Sequence, residues 1–333
     1  MNNTRNTLFS IVAGGTVGYM KRNLGILVGL FLMCLALSIV SPAFTRSSNI
    51  LNVLRQVSTN GMLAFGMTLA IVIGGIDLSV GSVLALGGTV AAGLIAKSGV
   101  PVPVAVLIGC SLGAGIGFFN GYIIASTGIP PFIVTLATMQ IARGAAYVYS
   151  NGNPIRTTDA AFVTIGTGSI FSIPFPVIYM LILFFVMYIL LNKTKFGRHV
   201  YALGGNKDAA IYSGIDTGRV IIITHTLIGL FSAFAGVVLC SRMYSGQPTI
   251  GNGFEMDAIA AVVLGGTSMS GGVGTLGGTF LGMLIIGILN NGLNLLNISS
   301  FWQLILKGVV ILLAVYIDVI KRSRDNKVKK VGK

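Results

Sequence analysis

The stretch GGIDLSVGS, residues 74–82, places a single carboxylate among glycines and apolar side chains. Its Asp77 is the only charged residue between Arg55 and Lys97. The segment that follows Asp77, LSVGSVLALGG, has a composition compatible with a helix. We therefore expect Asp77 to cap that helix, its carboxylate accepting backbone N–H groups. A direct place on a permeation path is the alternative, because charged groups inside apolar segments often mark such paths.

The rest of the chain is equally apolar. Hydrophobic residues make up 54% of its 333 residues and charged residues only 9%, whereas a soluble domain carries about a quarter charged residues. Residues 98–142, 160–192 and 258–306 contain no Asp, Glu, Lys or Arg. Because about 20 apolar residues suffice to cross a bilayer as a helix, the sequence predicts an all-α, polytopic integral membrane protein.

Apolar windows bounded by Pro, Gly, Asn or charged residues define the candidate membrane spans. We expect about ten transmembrane helices, although one window, 256–270, is short for an unbroken span. The windows are 24–41, 51–73, 79–96, 103–126, 131–149, 174–191, 217–241, 256–270, 273–296 and 301–320.

Two of these windows carry small residues at helical spacing. Gly113, Gly117 and Gly121 form one row, and Gly278 and Gly282 form another. Small residues let helices approach each other closely in lipid. We therefore expect both rows to be packing surfaces.

The net charge of +14 is distributed unevenly along the chain. Fifteen of the 22 Lys and Arg residues lie in the N-terminal tail, in residues 192–219 and in the tail from Lys321 onwards. Short cytoplasmic segments accumulate Lys and Arg, so the charge predicts membrane topology and not a nucleic-acid partner. Six windows precede the middle cluster and four follow it, which agrees with cytoplasmic N- and C-termini.

This topology divides the chain into predicted parts. They are a cytoplasmic tail (1–23), a transmembrane permease domain (24–320) with a cytoplasmic loop (192–216) and a periplasmic loop (150–173), and a basic cytoplasmic tail (321–333).

Motifs for enzymatic chemistry are absent from the sequence. No G-x-x-x-x-G-K-[ST] loop for ATP and no H-E-x-x-H metal motif occurs. His199 and His225 stand alone in their neighbourhoods, and Cys34, Cys110 and Cys240 show no C-x-x-C spacing. We expect these side chains to be packed rather than to form metal sites or disulfides. The sequence thus predicts no enzyme, no metal site and no cofactor bound by this chain.

Uncharged polar side chains inside the predicted spans are the candidates for a translocation path. A path for a neutral polyol needs hydrogen-bonding groups without charge, although each such group can instead tie two helices together. The candidates are Gln56, Asn60, Asn120, Gln140, Asn290, Asn291 and Asn294, with Asp77 and Ser79 beside the glycine-rich turn.

The predicted cytoplasmic segment FGRHVYALGGNKDAAIYSGI, residues 196–215, is long and partly apolar. Asn206 can cap a short helix over 207–213 that ends at Gly214. Ala209, Ala210 and Tyr212 would then offer an exposed apolar surface. A transporter driven by a separate ATPase needs such an element, and a helix lying on the lipid surface is the alternative.

Three long motifs in order resemble one family. GMTLAIVIGGIDLSVGSVLALGG (66–88), ALGGNKDAAIYSGI (202–215) and EMDAIAAVVLGGTSMSGGVGTLGG (255–278) are similar to the permeases of bacterial monosaccharide ABC importers, most closely those for ribose. The resemblance covers about residues 22–320. It implies a multi-pass protein of the bacterial inner membrane that forms a dimer.

The resemblance also implies partners and a coupling site. The expected partners are a cytoplasmic ATPase with two nucleotide-binding cassettes, which uses the ATP, a periplasmic sugar-binding protein, a second permease copy and membrane lipid. The implied coupling residues are Gly204, Gly205, Asn206, Asp208, Ala209, Ala210, Ser213 and Gly214.

The cargo stays open at this point. Ribose or a related pentose or hexose is expected, and a polyol, a nucleoside, a signalling furanose or a branched-chain amino acid are the alternatives. An ATP-independent facilitator and a membrane scaffold are alternatives of a different class.

Overall fold

The computed structural model of the protein describes residues 24–331, and helices account for most of them. Four strands of two residues each are the other regular elements of this range. In chain order the elements are α1 (Leu24–Val40), α2 (Ser47–Val72), α3 (Val80–Ser98), α4 (Val102–Thr127), α5 (Pro131–Ser150), β1 (Ile155–Arg156), α6 (Ala160–Thr167), β2 (Ser169–Ile170), β3 (Ile173–Pro174), α7 (Phe175–Lys193), α8 (Lys195–Gly205), α9 (Lys207–Tyr212), α10 (Thr217–Arg242), β4 (Ser245–Gly246), α11 (Phe254–Leu264), α12 (Leu276–Leu295) and α13 (Ser300–Val331).

Helix α2 forms the axis of the bundle. Every residue from Val57 to Val72 is buried. A helix that is apolar on all sides is stable only when other elements surround it. Helices α7, α10, α11 and α12 provide those surroundings.

Helices α4 and α10 pack against each other through glycine. A Cβ atom at Gly113 would collide with the carbonyl of Gly229, and one at Gly229 would collide with the carbonyl of Gly113. The other two glycines of the predicted row on α4 continue this contact, and the row on α12 meets α11 in the same way. The prediction that both rows are packing surfaces is confirmed.

The bundle has two ends with different structures. We call the end that carries α8, α9 and the loops 73–79 and 265–275 the α9 end, and the end that carries β1–β4 and α6 the strand end. Helix α10 follows α9 and leads to β4, so its 26 residues separate the two ends by about 39 Å. Helix α7 runs between the same ends, from β3 to α8.

The strand end departs from the all-α prediction. β1 pairs antiparallel with β4, and β2 pairs with β3 in a short hairpin. Asp159 caps α6 by accepting a hydrogen bond from the amide of Phe162 at 3.0 Å. The predicted loop 150–173 is therefore a folded segment, in which backbone groups that leave the helices pair with one another.

The outer faces of α1, α4, α7 and α13 are covered by large apolar side chains. Phe119 is 56% exposed, Phe185 60% and Leu312 69%. Five described helices, α3, α4, α7, α10 and α12, are long and apolar enough to cross a membrane. Apolar surfaces of this size need lipid or another protein to cover them. The prediction of a mostly helical integral membrane protein is confirmed.

The ten predicted windows fall on α1–α5, α7 and α10–α13. Window 256–270 was too long, because α11 ends at Leu264 and two glycines follow, of which Gly266 has a φ of +82°. Helix α13 continues beyond the predicted boundary at residue 320 to Val331. The predicted tail 1–23 lies outside the described residues, and the number of spans stays a prediction.

All three cysteines are free, as predicted. Cys240 is buried in α10. Cys34 and Cys110 are only half-buried, because α1 and α4 lie at the periphery of the bundle.

We expect the substitution Gly113→Leu to destabilise the helix bundle by about 1–3 kcal/mol or more, because the new side chain meets the backbone of α10. Gly115→Leu is the matched control, since no atom lies within 4 Å of a Cβ at that position. Thermal unfolding of both variants in detergent measures the effect. Equal unfolding temperatures would contradict the close α4–α10 contact.

Candidate functional site

A polar cavity of about 280 Å³ lies between α3, α5 and the start of α11. We call it the inner cavity. All of its lining side chains except that of Met139 carry a hydrogen-bonding group, and its one arginine and one glutamate balance in charge. Such a lining suits an uncharged ligand rich in hydroxyl groups. The lining residues are Ser82, Met139, Gln140, Arg143, Tyr147, Thr249, Asn252 and Glu255.

Arg143 holds the wall of the inner cavity that residues 247–253 form. Its Nη1 donates hydrogen bonds to the carbonyls of Pro248, at 2.5 Å, and Ile250, at 2.7 Å. Gly251 follows with a φ of +71° and lies directly against the backbone of Gly81 in α3. The segment therefore runs along α3 until α11 begins, with Pro248, Ile250 and Gly251 buried and Thr249 and Asn252 exposed.

Helix α11 starts at the inner cavity. Glu255 lies in its first turn, where the helix dipole favours a carboxylate, and accepts a hydrogen bond from the amide of Gly253 at 3.2 Å. The 11 residues of α11 extend about 16 Å, roughly half of the hydrocarbon core of a membrane. Short helices that begin inside a bundle are typical of the binding sites of transporters.

The same first turn carries a buried ion pair. Lys307 of α13 donates to Asp257 Oδ1 at 2.9 Å and to Oδ2 at 3.0 Å, and Asn290 Nδ2 of α12 lies 3.3 Å from Oδ2. Asp257 is only 3% exposed. A carboxylate buried this deeply needs such partners, so the contact fixes α11 between α12 and α13.

Asp77 is the centre of a second buried polar group. Its Oδ1 accepts hydrogen bonds from the Ser79 amide at 2.9 Å and the Ser79 hydroxyl at 2.6 Å, and its Oδ2 lies 2.9 Å from His225 Nδ1. Asn120 continues the chain from Ser79 to Thr138. These bonds join the turn before α3 to α4, α5 and α10.

One prediction about this group was wrong. Asp77 is not the N-cap of α3, since Ser79 occupies that position and no side chain caps the helix. The Asp77 carboxylate does accept a backbone amide, but it is that of Ser79, which precedes the helix. His225 is packed inside the bundle, as predicted, and its hydrogen-bond partner is Asp77, 148 residues away in the chain.

The remaining candidates for a translocation path occupy different surroundings. Gln140 lines the inner cavity. Gln56 lines a second cavity of about 460 Å³, which we call the outer cavity. The outer cavity lies at the strand end and is lined by Asn52, Arg55, Gln56, Gly166, Thr167, Arg242 and Tyr244.

The asparagines among the candidates mainly join helices. Asn291 exchanges two hydrogen bonds with Asn49, at 2.8 and 3.0 Å, and Asn294 accepts one from Gln303 at 2.8 Å. Asn60 is buried in α2, and its Oδ1 has no hydrogen-bond partner among residues 24–331. For Asn291 and Asn294 the structure shows the interhelical bonding that the sequence left open as the alternative.

The predicted coupling segment forms the surface of the α9 end. Asn206 Oδ1 accepts the amide of Ala209 at 2.8 Å, which confirms the predicted cap, and Gly214 ends the turn with a φ of +77°. Tyr212 is 90% exposed. Ala210 is buried, contrary to the prediction, because α9 packs one face against α8 and α10. Gly205, Asp208, Ala209 and Ser213 are exposed beside it.

The coupling segment touches the ends of other helices. Gly204 at the end of α8 lies against the carbonyl of Val72, the last residue of α2. Gly272 donates its amide to the same carbonyl at 2.8 Å, and the Tyr201 hydroxyl donates to the carbonyl of Gly274 at 2.9 Å. A displacement of α8 and α9 must therefore act on α2 and on the loop that leads into α12.

The sequence did not identify Arg143 or Lys307 as site residues, and it did not identify His225 as the partner of Asp77. These roles become visible only in the folded chain. One signal was available, since ionisable groups in apolar segments usually pair with each other. The sequence does not show which pairs form, because the partners lie on different helices.

Comparison with known families gives one match. The family model of the branched-chain amino acid transport system permease component matches residues 49–315. No solved structure matches the chain.

Curated relatives match over nearly their whole length. The ribose import permease of Bacillus subtilis is 52% identical over 90% of this chain and 94% of its own. The ribose import permease of Escherichia coli K12 is 47% identical over 88% and 92%. The L-arabinose ABC transporter permease of Azospirillum brasilense is 37% identical over 95% and 93%.

We expect Asp77→Leu to destabilise the protein by about 1–3 kcal/mol or more, because it leaves the donors of Ser79 and His225 buried without their acceptor. Asp77→Asn keeps an oxygen for Ser79 and should cost less. The double variant Asp77→Leu, His225→Leu should recover part of the loss. Thermal unfolding in detergent measures all three variants, and strictly additive single effects would contradict the coupling of the two side chains.

Proposed function

Because the chain belongs to the family of branched-chain amino acid transport system permease components, we propose that it is the membrane-spanning subunit of an ATP-driven monosaccharide importer. The observation that carries the proposal is the similarity to ribose import permeases over about nine-tenths of both chains. The chain is accordingly a multi-pass inner-membrane transport subunit and not an enzyme.

A pentose such as ribose, or a related hexose, is the cargo that fits best. The family description names branched-chain amino acids, but the similar relatives carry the names of ribose, allose and arabinose permeases. The inner cavity favours the sugars as well. Its amide, hydroxyl and oppositely charged groups suit hydroxyl-rich ligands, whereas the side chain of a branched-chain amino acid requires an apolar pocket.

The topology that we propose has about ten spans, formed by α1–α5, α7 and α10–α13. The α9 end faces the cytoplasm, because Lys193, Lys195, Arg198 and Lys207 surround it and basic residues accumulate on that side. The strand end then faces the periplasm. The inner cavity lies between these ends, where a transported sugar has to pass.

Several partners follow from this proposal. A cytoplasmic ATPase hydrolyses the ATP and contacts the α9 end, so that the permease itself binds no nucleotide. A periplasmic binding protein delivers the sugar at the strand end. A second permease copy completes the path, and the exposed apolar faces of the bundle supply surface for this copy and for lipid.

The coupling of ATP hydrolysis to sugar transport runs through backbone contacts. The ATPase moves α9, α9 moves the end of α8, and Gly204 transmits the motion to Val72 and the loop 265–275. That loop connects α11 to α12, so its displacement shifts the first turn of α11 at the inner cavity. The ATPase can change the state of the permease only by binding one conformation of α9 better than the other.

Reconstituted uptake tests the cargo and the inner cavity. With ATPase, binding protein and ATP present, we expect proteoliposomes to accumulate ribose and not leucine. Gln140→Ala and Asn252→Ala should each slow uptake about threefold to tenfold, since a neutral hydrogen bond contributes about 0.5–1.5 kcal/mol. Ser126→Ala, an exposed position on α4, is the control. Leucine uptake, or unchanged rates in both cavity variants, would contradict the proposal.

Substitutions on α9 test whether a separate ATPase drives transport. Tyr212→Asp should reduce ATPase co-purification tenfold or more and abolish uptake, because exposed aromatic anchors often contribute about 2 kcal/mol to an interface. Phe171→Asp at the strand end, where this side chain is 94% exposed, is the matched control for ATPase co-purification. Sugar uptake that continues without ATPase or ATP would identify a facilitator instead.

A further inference from the structure

The outer cavity contains two arginines and no carboxylate. Arg55 of α2 and Arg242 at the end of α10 line it together with Gln56, Asn52 and Tyr244. Both side chains border the same cavity, so their positive charges act on each other. Like charges that share a partly buried site repel each other, which is unfavourable unless an anion lies between them.

Neither arginine has an ionic partner in the described part of the chain. Arg55 Nη1 makes only a long hydrogen bond to Asn52 Oδ1, at 3.4 Å, and its buried Nε has no hydrogen-bond acceptor among residues 24–331. The Arg242 side chain makes no hydrogen bond or ion pair with any other described residue. Guanidinium groups present several N–H donors in a fixed plane, and carboxylates match that arrangement with two parallel bonds.

The surroundings of the outer cavity are basic as well. Arg46, Lys97 and Arg156 are exposed at the strand end. Among the described residues, Asp159 is the exposed carboxylate at the strand end, and it already caps α6. The excess of positive charge is unusual for a periplasmic face, because Lys and Arg normally collect on the cytoplasmic side.

From these observations we propose that the outer cavity is a docking site for an acidic side chain of the soluble protein that delivers the sugar. An aspartate or glutamate on the surface of that protein enters the outer cavity and forms charge-assisted hydrogen bonds with Arg55 and Arg242. The surrounding basic residues attract the acidic face of the partner and orient it on the strand end.

A protein carboxylate explains the site better than the cargo does. A neutral sugar cannot compensate two positive charges, and the inner cavity already offers a balanced set of groups for it. A small free anion would satisfy the two arginines, but it would leave the exposed basic residues around the cavity without a role. The inference rests on the proposed function, because it needs a delivering protein at the strand end.

The test measures docking of the ribose-loaded binding protein to the permease–ATPase complex in lipid nanodiscs. We expect Arg55→Gln and Arg242→Gln each to weaken docking about tenfold or more, and to reduce its dependence on salt. Lys97→Gln removes one of the exposed basic residues outside the cavity, where Lys97 contacts Tyr149, and should weaken docking by less than about threefold. Lys193→Gln removes an exposed positive charge at the α9 end and is the control, which should leave docking of the binding protein unchanged.

A second measurement separates docking from folding. Without the binding protein, removal of one repelling charge should raise the unfolding temperature of the permease, so Arg242→Gln should stabilise the free protein while it weakens the complex. If Arg242 had a purely structural role, Arg242→Gln would lower both the unfolding temperature of the free permease and its affinity for the binding protein. Arg242→Lys, which keeps the charge, should retain more docking than Arg242→Gln.

The outcomes are distinct. Normal docking and uptake in both glutamine variants would overturn the inference and leave the proposed function intact. Stabilisation of the permease by phosphate or acetate through Arg55 and Arg242, without any effect of the variants on docking, would assign the cavity to a small anion and also overturn it. Failure of the unsubstituted complex to dock the binding protein or to import ribose would remove the proposed function together with the inference.

Discussion

Polar groups enclosed in an apolar bundle have no water to bind, so each of them needs a partner on a neighbouring segment. Asp77 with His225 and Asp257 with Lys307 satisfy this requirement between helices that are far apart in sequence. Such contacts select one arrangement of otherwise similar apolar helices. Glycine contacts of α10 with α3, at Gly88 and Gly236, and with α4, at Gly113, add the close approach of these helices.

The same requirement shapes the inner cavity. Its position depends on residues 247–253 entering the bundle, and Arg143 makes that possible by binding two of their carbonyls. Because α11 starts only there, Glu255 and Asp257 of its first turn are buried in the bundle, and Asn252 and Glu255 line the cavity. Backbone contacts of Gly204 and Gly272 with Val72 join the α9 end to α2 and to the loop that follows α11.

Much of the helical architecture could be predicted from the sequence, because runs long enough to cross a membrane have few other stable conformations. Asn206 could also be predicted as a helix cap, because capping depends on residue type and local spacing. The partner of Asp77 was not, since a contact across 148 residues leaves no trace in spacing. The burial of Ala210, the short α11 and the assignment of Gln140 and Gln56 to two cavities also depend on tertiary packing, which residue type alone does not specify.

Labelling from the two sides of the membrane tests the central claim that the α9 end meets the cytoplasm and the strand end the periplasm. Tyr212→Cys and Phe171→Cys, in a protein without its three native cysteines, place single thiols on the two ends, 90% and 94% exposed respectively. A membrane-impermeant thiol reagent should reach position 171 in intact cells and position 212 only in inverted vesicles, and bound ATPase should protect position 212. Labelling of both positions from the same side would contradict the account.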